Sequence, residues 1–431
     1  MSQDHVASEA TSGNDSRLAP FAALQNRDFR LLWFAQLISQ AGTTMQTITI
    51  NWHIYILTGS ALALGLTGLV RVVPIIVFSL VGGIFADAHD RRRLLLATQS
   101  AMMIFAALLG VITETGHASV LLIYLLSALT AATVAFDSPA RQALVPNLVP
   151  REQLTNALSL NNMMSQAAAI IGPALAGFVI AGLSIAAVYW INAVSFLAVL
   201  FALLLMRTPS QENLGIARVT PAALREGISF VRHSTIILST ALLDFFATFF
   251  SSASALLPIF AQDILHVGPQ GLGILYSAES IGAVVAGLGV AFVGNVRHKG
   301  VVLLWAIALY GLATALYGAS QWFLLSFILL ACVGAADTVS TILRNTIRQI
   351  ATPDYLRGRM TSVMMIFFMG GPQLGELEAG LVAAWLGAPL SVITGGVGTI
   401  IAVAIMAWLV PSLRNYRERA EPAGVHASAA Q

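Results

Sequence analysis

The sequence predicts an all-α membrane protein whose twelve transmembrane helices form two pseudo-symmetric six-helix bundles with both termini cytoplasmic. Three observations carry this. Apolar residues make up 57% of the 431 positions and charged ones 10%, where a soluble domain is about a quarter charged. The apolar residues gather into runs of helical length, and the basic residues fall in alternate connections. Each crossing takes about 20 apolar residues, so the chain has capacity for about a dozen.

In order, the runs place spans at 30–57, 62–85, 94–113, 119–137, 158–182 and 184–206, then at 236–261, 271–293, 300–318, 321–341, 360–386 and 390–410. The first 20 residues are polar and lack the basic and apolar regions of a cleavable signal, so 1–28 is expected to be a disordered cytoplasmic tail, with 411–431 as its C-terminal counterpart. Of the 22 Lys and Arg, 21 lie in the tails (Arg30 at the first residue of span 1) or in the connections after spans 2, 4, 6, 8 and 10, and Arg71 alone falls in the interior of a span. That bias puts those connections and both termini in the cytoplasm. Trp33, Trp305 and Trp408 fall near inner span ends, and Trp52, Trp190, Trp322 and Trp385 near outer ones, as two aromatic belts would.

The near balance of 22 basic against 20 acidic residues offers no basic face for nucleic acid. A lone cysteine, Cys332, excludes an internal disulfide or a cysteine metal cluster, and no GxxxxGK[ST] loop for ATP is present. No metal and no cofactor are expected. The partners expected are protons, the lipid bilayer and a small-molecule substrate, and the expected assembly is a monomer in the cell (inner or plasma) membrane.

The longest interior connection, 207–235, divides an N-terminal bundle, 29–206, from a C-terminal bundle, 236–410. Within it, Thr220 and Pro221 read as an N-cap and first helical residue of a short amphipathic helix, PAALREGISFVRH, lying along the inner surface. Internal echoes indicate a duplication. ARQALVPNLVP at 140–150 and LRNTIRQIATP at 343–353 align Arg141 with Arg344 and Pro150 with Pro353, and GPALAG from Gly172 echoes GPQLG from Gly371 at a similar offset.

The stretch GGIFADAHDRRR between spans 2 and 3 resembles the GxxxDRxGRR signature loop of the major facilitator superfamily, with Gly83, Asp87, Arg91 and Arg92 in place and departures at Ala88 and Asp90. The second-half counterpart, GNVRHKG, is degenerate. LTGSALALGLTGLVRVVP, SPARQALVPNLVPREQLTNA and ATPDYLRGRMTSV are similar to the branch holding enterobactin exporters and macrolide efflux proteins, and the likeness spans about 28–410. It implies two halves rocking about a central site. It also implies a cytoplasmic gate of Gly83, Asp87, Arg91, Arg92 and Arg359, with Asp87 and Arg359 latching the inner face of the outward-open state. Basic residues at an inner helix junction also have a purely topological explanation.

Pro74, Gly172–Pro173 and Gly371–Pro372 are candidate kink sites, because proline removes a helical hydrogen bond, although close helix packing explains the glycines equally well. In the superfamily a GP pair in span 5 goes with exporters. The acids and Arg71 at membrane depth carry most information. Each costs about 2.5–3.5 kcal/mol at a span centre, so Arg71, Asp244, Glu279, Asp337, Glu376 and Glu378 must be paired, hydrated or neutralised. Arg71 and Glu376 are read as an interhelical charge pair, structural or broken and remade in transport. Glu378, about 200° round the helix from Glu376, cannot share that role. Spans 7 and 10 as drawn contain no basic residue, so Asp244 and Asp337, with Glu279 and Glu376, are the proton-coupling candidates: an unpaired acid there can gain and lose a proton near neutral pH.

His53 reads as an interfacial histidine, and Gln36, Ser39, Gln40, Thr43, Thr44 and Gln46 as lining of a wet cavity. Phe245, Phe246, Phe249 and Phe250 form an aromatic cluster suited to an amphipathic ligand or to lipid. No HExxH or GxSxG supports an intramembrane enzyme. The tails leave no room for a sensor domain. The expectation is a proton-coupled antiporter exporting an amphipathic siderophore or drug-like compound by alternating access, with an importer or facilitator of a small organic solute as the alternative.

Overall fold

The computed structural model describes residues 21–207, 221–294 and 296–416. Every regular element among them is helical. The first half holds α1 (Arg27–Thr58), α2 (Ala61–Ala88), α3 (Arg91–Glu114), α4 (Val120–Leu144), α5 (Leu154–Gly182) and α6 (Ile185–Leu205). A short helix, α7 (Pro221–His233), leads into α8 (Thr235–Phe250), α9 (Gly268–Val293), α10 (Lys299–Ala319), α11 (Phe323–Ala351), α12 (Arg357–Leu386) and α13 (Ala388–Leu409).

Among the described residues, ten helical stretches are long and apolar enough to cross a membrane. α1 and α12, at 32 and 30 residues, match them in length and carry more polar residues. Tight connections follow from local chemistry. Gly59 takes the left-handed backbone (φ 59°) that closes α1, and Ser60, Ser119 and Ser184 each accept a backbone N–H from the first turn of the next helix.

Two predicted spans depart most from the structure, and the fourth, predicted to end at 137, continues as α4 to Leu144. The seventh breaks after Phe250. Ser252 Oγ has Thr248 O (2.6 Å) and Pro372 O (3.0 Å) as alternative acceptors for its one proton, Ser251 meets Thr399, and a 3-10 turn and a π-helical turn (Phe260–Ile264) complete the crossing. Serine hydroxyls can satisfy backbone groups that a broken helix frees, which is what lets a break sit at membrane depth. The tenth span was drawn to end at 341, whereas α11 continues to Ala351 because its last ten residues, although polar, bury Leu343, Arg344, Ile347 and Arg348 against neighbouring helices.

Helices α1 with α5 and α6, and α3 with α4 and α6, build the first half, while α10 with α11 and α13, and α8 with α12, build the second. The halves meet along two helix pairs, α2 with α12 and α5 with α9. Call the near end that at which α1 begins and α13 finishes. At the opposite, far end one core joins both halves: Ile48 and Trp52 of α1 pack with Leu257, Phe260, Leu272, Leu275 and Ala383. At the near end each half has a separate core, with Phe29, Leu32, Leu95, Leu144 and Leu203 in the first and Leu243, Leu303, Ile307, Leu343 and Ile347 in the second.

Candidate functional site

The far-end closure is built from glycines. An added Cβ on Gly380 of α12 would stand 2.6 Å from Gly65 Cα of α2, and one on Gly273 of α9 would stand 3.1 Å from Gly177 Cα of α5. Small residues permit such close approach, and the two contacts are related by the duplication. Three side-chain hydrogen bonds cross between the halves in this zone: Asn51 Nδ2 to Tyr276 OH (3.2 Å), Ser277 Oγ to Ile170 O (2.8 Å), and Tyr55 OH to Asp263. Toward the near end the same four helices expose Ile76, Val77, Leu158, Met163, Val285, Leu288, Met365 and Phe368.

At the end of the closed zone lies a polar cluster drawn from both halves. Gly68 of α2 sits against Gln373 and Glu376 of α12; a Cβ there would be 2.9 Å from Glu376 Oε2. Arg71, three residues on, shares that face of α2, as Gln373 and Glu376 share one face of α12. Tyr276 OH donates to Ser254 O (2.7 Å) and therefore accepts from Asn51. The charges of Arg71, Glu376 and Glu279 all act on Tyr276. The expected Arg71–Glu376 ion pair does not close within 4.0 Å, although the two are near enough for Arg71 to act on Glu376 electrostatically. Glu376 Oε2, Gln373 Oε1 and Asn51 Oδ1 are buried without a hydrogen-bond partner.

Asp244 is in a different condition, and the premise that it has no basic partner is overturned. It is 4% exposed and held by Arg344 (3.0 Å) and Arg348 (3.2 Å), both on the polar extension of α11. Arg348 also donates to Thr240 Oγ1 (3.1 Å) and Thr240 O (2.8 Å). Asp337, two turns back along α11, joins through Arg344 at 3.5 Å and keeps a half-exposed side chain. The first half holds a related arrangement that sequence reasoning missed: buried Asp137 pairs with Arg141 (3.2 Å) and accepts from Thr98 and Gln99. Its i,i+4 spacing was the available signal. Glu279 of α9 packs its backbone against Gly334 of α11, and the Asp337 charge reaches it. Glu378 is half-buried on the other side of α12 from Glu376.

In the predicted gate, Arg91 donates to Ala143 O (3.0 Å) and Arg92 to Leu204 O (3.1 Å), tying the start of α3 to α4 and α6. Asp90, where the signature has glycine, caps α3 by accepting from Arg92 N (2.8 Å). Arg359 pairs with Glu226 of α7. Gly83 and Asp87 lie on α2, with their side-chain surroundings outside the described residues. α2, α5 and α12 run through Pro74, Pro173 and Pro372 without interruption. Gly172 lies against Thr44 of α1, and Gly371 against Thr248 of α8, so both glycines serve close packing on the first helix of their own half.

Several polar and aromatic readings change. His53 is buried and meets Tyr189 OH (3.2 Å), so it is a core residue rather than an interfacial one. Gln36, Ser39 and Gln46 are buried too, with Gln46 accepting from Asn192 (2.8 Å), so this stripe packs α1 into its half. Trp190, Trp305, Trp322, Trp385 and Trp408 are exposed near helix ends as belts require, but Trp52 belongs to the far-end core. Phe245 stacks on Phe249 and meets Phe367 of α12 edge-on.

The sequence model of the transmembrane secretion effector family matches residues 18–426. The chain belongs to this family, within the major facilitator superfamily. It is 26% identical to the enterobactin exporter EntS of Salmonella typhi over 392 residues, 90% of this chain and 94% of that one, and 25% identical to EntS of Escherichia coli O9:H4 over 90% and 93%. Among solved structures, a bacterial homologue of the human lysosomal transporter Spinster matches with a TM-score of 0.71 at 14% identity, covering 92% of this chain and 99% of that one. A bacterial homologue of the iron transporter ferroportin matches at 0.66 and 18%, covering 90% and 99%. This family member is a multi-pass membrane transporter, not an enzyme.

Proposed function

We propose that the protein exports an amphipathic small molecule in exchange for protons by alternating access, as a monomer with twelve spans and both termini cytoplasmic. One observation carries this reading: the halves share a core at the far end and have separate cores at the near end, with partnerless polar groups of α1 and α12 between. With the basic connections on the cytoplasmic side, the arrangement is the inward-open state. Rocking the halves would separate Gly65 from Gly380 and Gly177 from Gly273 and bring the near ends together. In that outward-open state Arg359 would leave Glu226 for Asp87.

Among the four acids, Glu376 is assigned the coupling role, because it faces the opposite half and one of its oxygens has no partner. Glu279 and Asp337 are the second choice, and Asp244, held by two arginines, is assigned to structure. Export and a siderophore-like cargo are supported by the name of the EntS relatives. The test is efflux from cells lacking their native pumps, across siderophores, macrolides and dyes, with and without a protonophore. Accumulation of exported compound should stop when the proton gradient collapses, and export that continues unchanged would refute proton coupling.

A further inference from the structure

Helix α7 is covered on one side only. Val231, 3% exposed, packs on Ile237 and Ala241 of α8 and on Met360, Val363 and Met364 of α12. Glu226 pairs with Arg359 of α12. The uncovered side carries Ile228, Arg232, Arg225, Ser229 and His233, all exposed, which follow one another round about 140° of the helix. Among the described residues no acidic oxygen comes within 4.0 Å of the Arg225 or Arg232 guanidinium, so both charges are unanswered. A groove of about 480 Å³ runs beside this arc, lined by Arg225, Glu226, Ser229, Phe230 and His233. His233 donates from Nδ1 to Ser229 O (2.7 Å), which fixes its ring there. The one acid in the lining, Glu226, has its charge met by Arg359, so the groove presents a guanidinium, an imidazole, a hydroxyl and an aromatic ring.

The position of α7 selects what meets these groups. It follows α6, whose Leu203 joins the near-end core, and it precedes α8, so with the membrane placement proposed above it lies in the headgroup layer at the near end. A helix that meets this layer with arginines and an apolar edge is complementary to anionic headgroups above acyl chains. We propose that the uncovered side of α7 is a seat for an anionic phospholipid. The phosphate is taken by Arg225, Ser229 and Arg232, and Ile228, 40% exposed at one edge of the arc, meets the glycerol and the first methylenes. A free phosphate gains nothing from Ile228, and a zwitterionic headgroup brings an ammonium that the two arginines repel. The lipid is already in the plane of the helix, whereas a soluble acidic partner has to be brought to it.

The test is local protection of a cysteine in the full chain held in lipid nanodiscs. In a Cys332→Ala background, Ile228→Cys reports on α7, and Gln142→Cys, exposed on α4 at the same end, reports on surface potential alone. The nanodiscs are of phosphatidylcholine, or of phosphatidylcholine with about a third replaced by phosphatidylglycerol, and a further arm adds inorganic phosphate to the phosphatidylcholine discs. With phosphatidylglycerol present, labelling by N-ethylmaleimide should slow at least about 5-fold more at 228 than at 142, the factor that corresponds to the attraction of one arginine to an anionic surface. This excess protection should vanish when Arg225→Gln and Arg232→Gln are combined and persist when Arg225→Lys and Arg232→Lys are combined. Equal slowing at the two cysteines, no slowing, the same protection from inorganic phosphate, or protection that survives the double glutamine variant would overturn the proposal. Nanodiscs expose both faces and hold no gradient, so the result is independent of the direction and coupling of transport. Failure here leaves proton-driven efflux untouched, and gradient-independent efflux leaves the lipid seat standing.

Discussion

Asp244 and Glu376 are both acids on helices of the second half, and hydropathy alone gives them the same standing. Asp244 sits between two guanidinium groups, that of Arg348 bonding Thr240 and that of Arg344 bonding Thr341, so its charge is met on both oxygens. Glu376 faces α2 with an oxygen that nothing meets and an arginine that stays beyond contact. In the first arrangement the acid has no unmet oxygen, although Nε and Nη1 of Arg344 lack partners. The second is satisfied only by something that arrives: a proton, or Arg71 after a rearrangement. Depth in the bilayer therefore marks an acid as costly, and the state of its lone pairs decides whether that cost holds the fold together or drives a cycle.

If that contrast is right, the largest loss of stability belongs to Asp244. Asp244→Asn leaves Arg344 and Arg348 buried against a neutral amide, at a cost of about 3–5 kcal/mol. A thermal midpoint of the detergent-purified variant equal to that of the unchanged protein would break the comparison. Gly380→Val comes next. It drives methyl groups into the α2 backbone where a Cβ already stands 2.6 Å from Gly65 Cα, and such overpacking costs about 1–3 kcal/mol. Labelling of a cysteine placed at Tyr55 should become faster as the far end loosens; unchanged labelling would mean that this contact does not hold the closure. Tyr276→Phe removes the hydrogen bonds to Ser254 and Asn51, worth about 0.5–1.5 kcal/mol, and should slow transport with only a small shift in the midpoint. Glu376→Gln sharpens the comparison most, because it breaks no ion pair and should not destabilise the protein as Asp244→Asn does, and yet should make efflux insensitive to the proton gradient. A variant that still responds to a protonophore as wild type does would move the coupling role to Glu279 or Asp337.

The helices were legible because a span needs an unbroken apolar stretch, and nothing else in the chain looks like one. Where a helix outlasts its apolar stretch the reading failed. Arg344 and Arg348 lie beyond the point where α11 ceases to be hydrophobic, so hydropathy leaves Asp244 without a partner although Asp337, Arg344 and Arg348 recur at spacings of seven and four on one face. The break after Phe250 was hidden for the opposite reason: serines and alanines keep the stretch apolar while hydroxyls and a proline neighbour end the helix. Asn51, Tyr276 and Gln373 gave no signal because an uncharged polar residue in a span is compatible with packing, as Gln46 and Asn192 show by bonding each other.

The order and number of apolar stretches, the duplication that aligns Arg141 with Arg344, and the segregation of basic residues are properties of the chain itself, since transfer of each segment from water depends on its own composition. Which polar groups find partners is not such a property. It depends on how α2 meets α12 and α5 meets α9, on glycine contacts that set the distance between backbones, and on how far α11 runs. Hydrogen bonds and ion pairs fall away over a few tenths of an ångström and tens of degrees, so only the packed structure separates the satisfied acid at Asp244 from the unsatisfied one at Glu376.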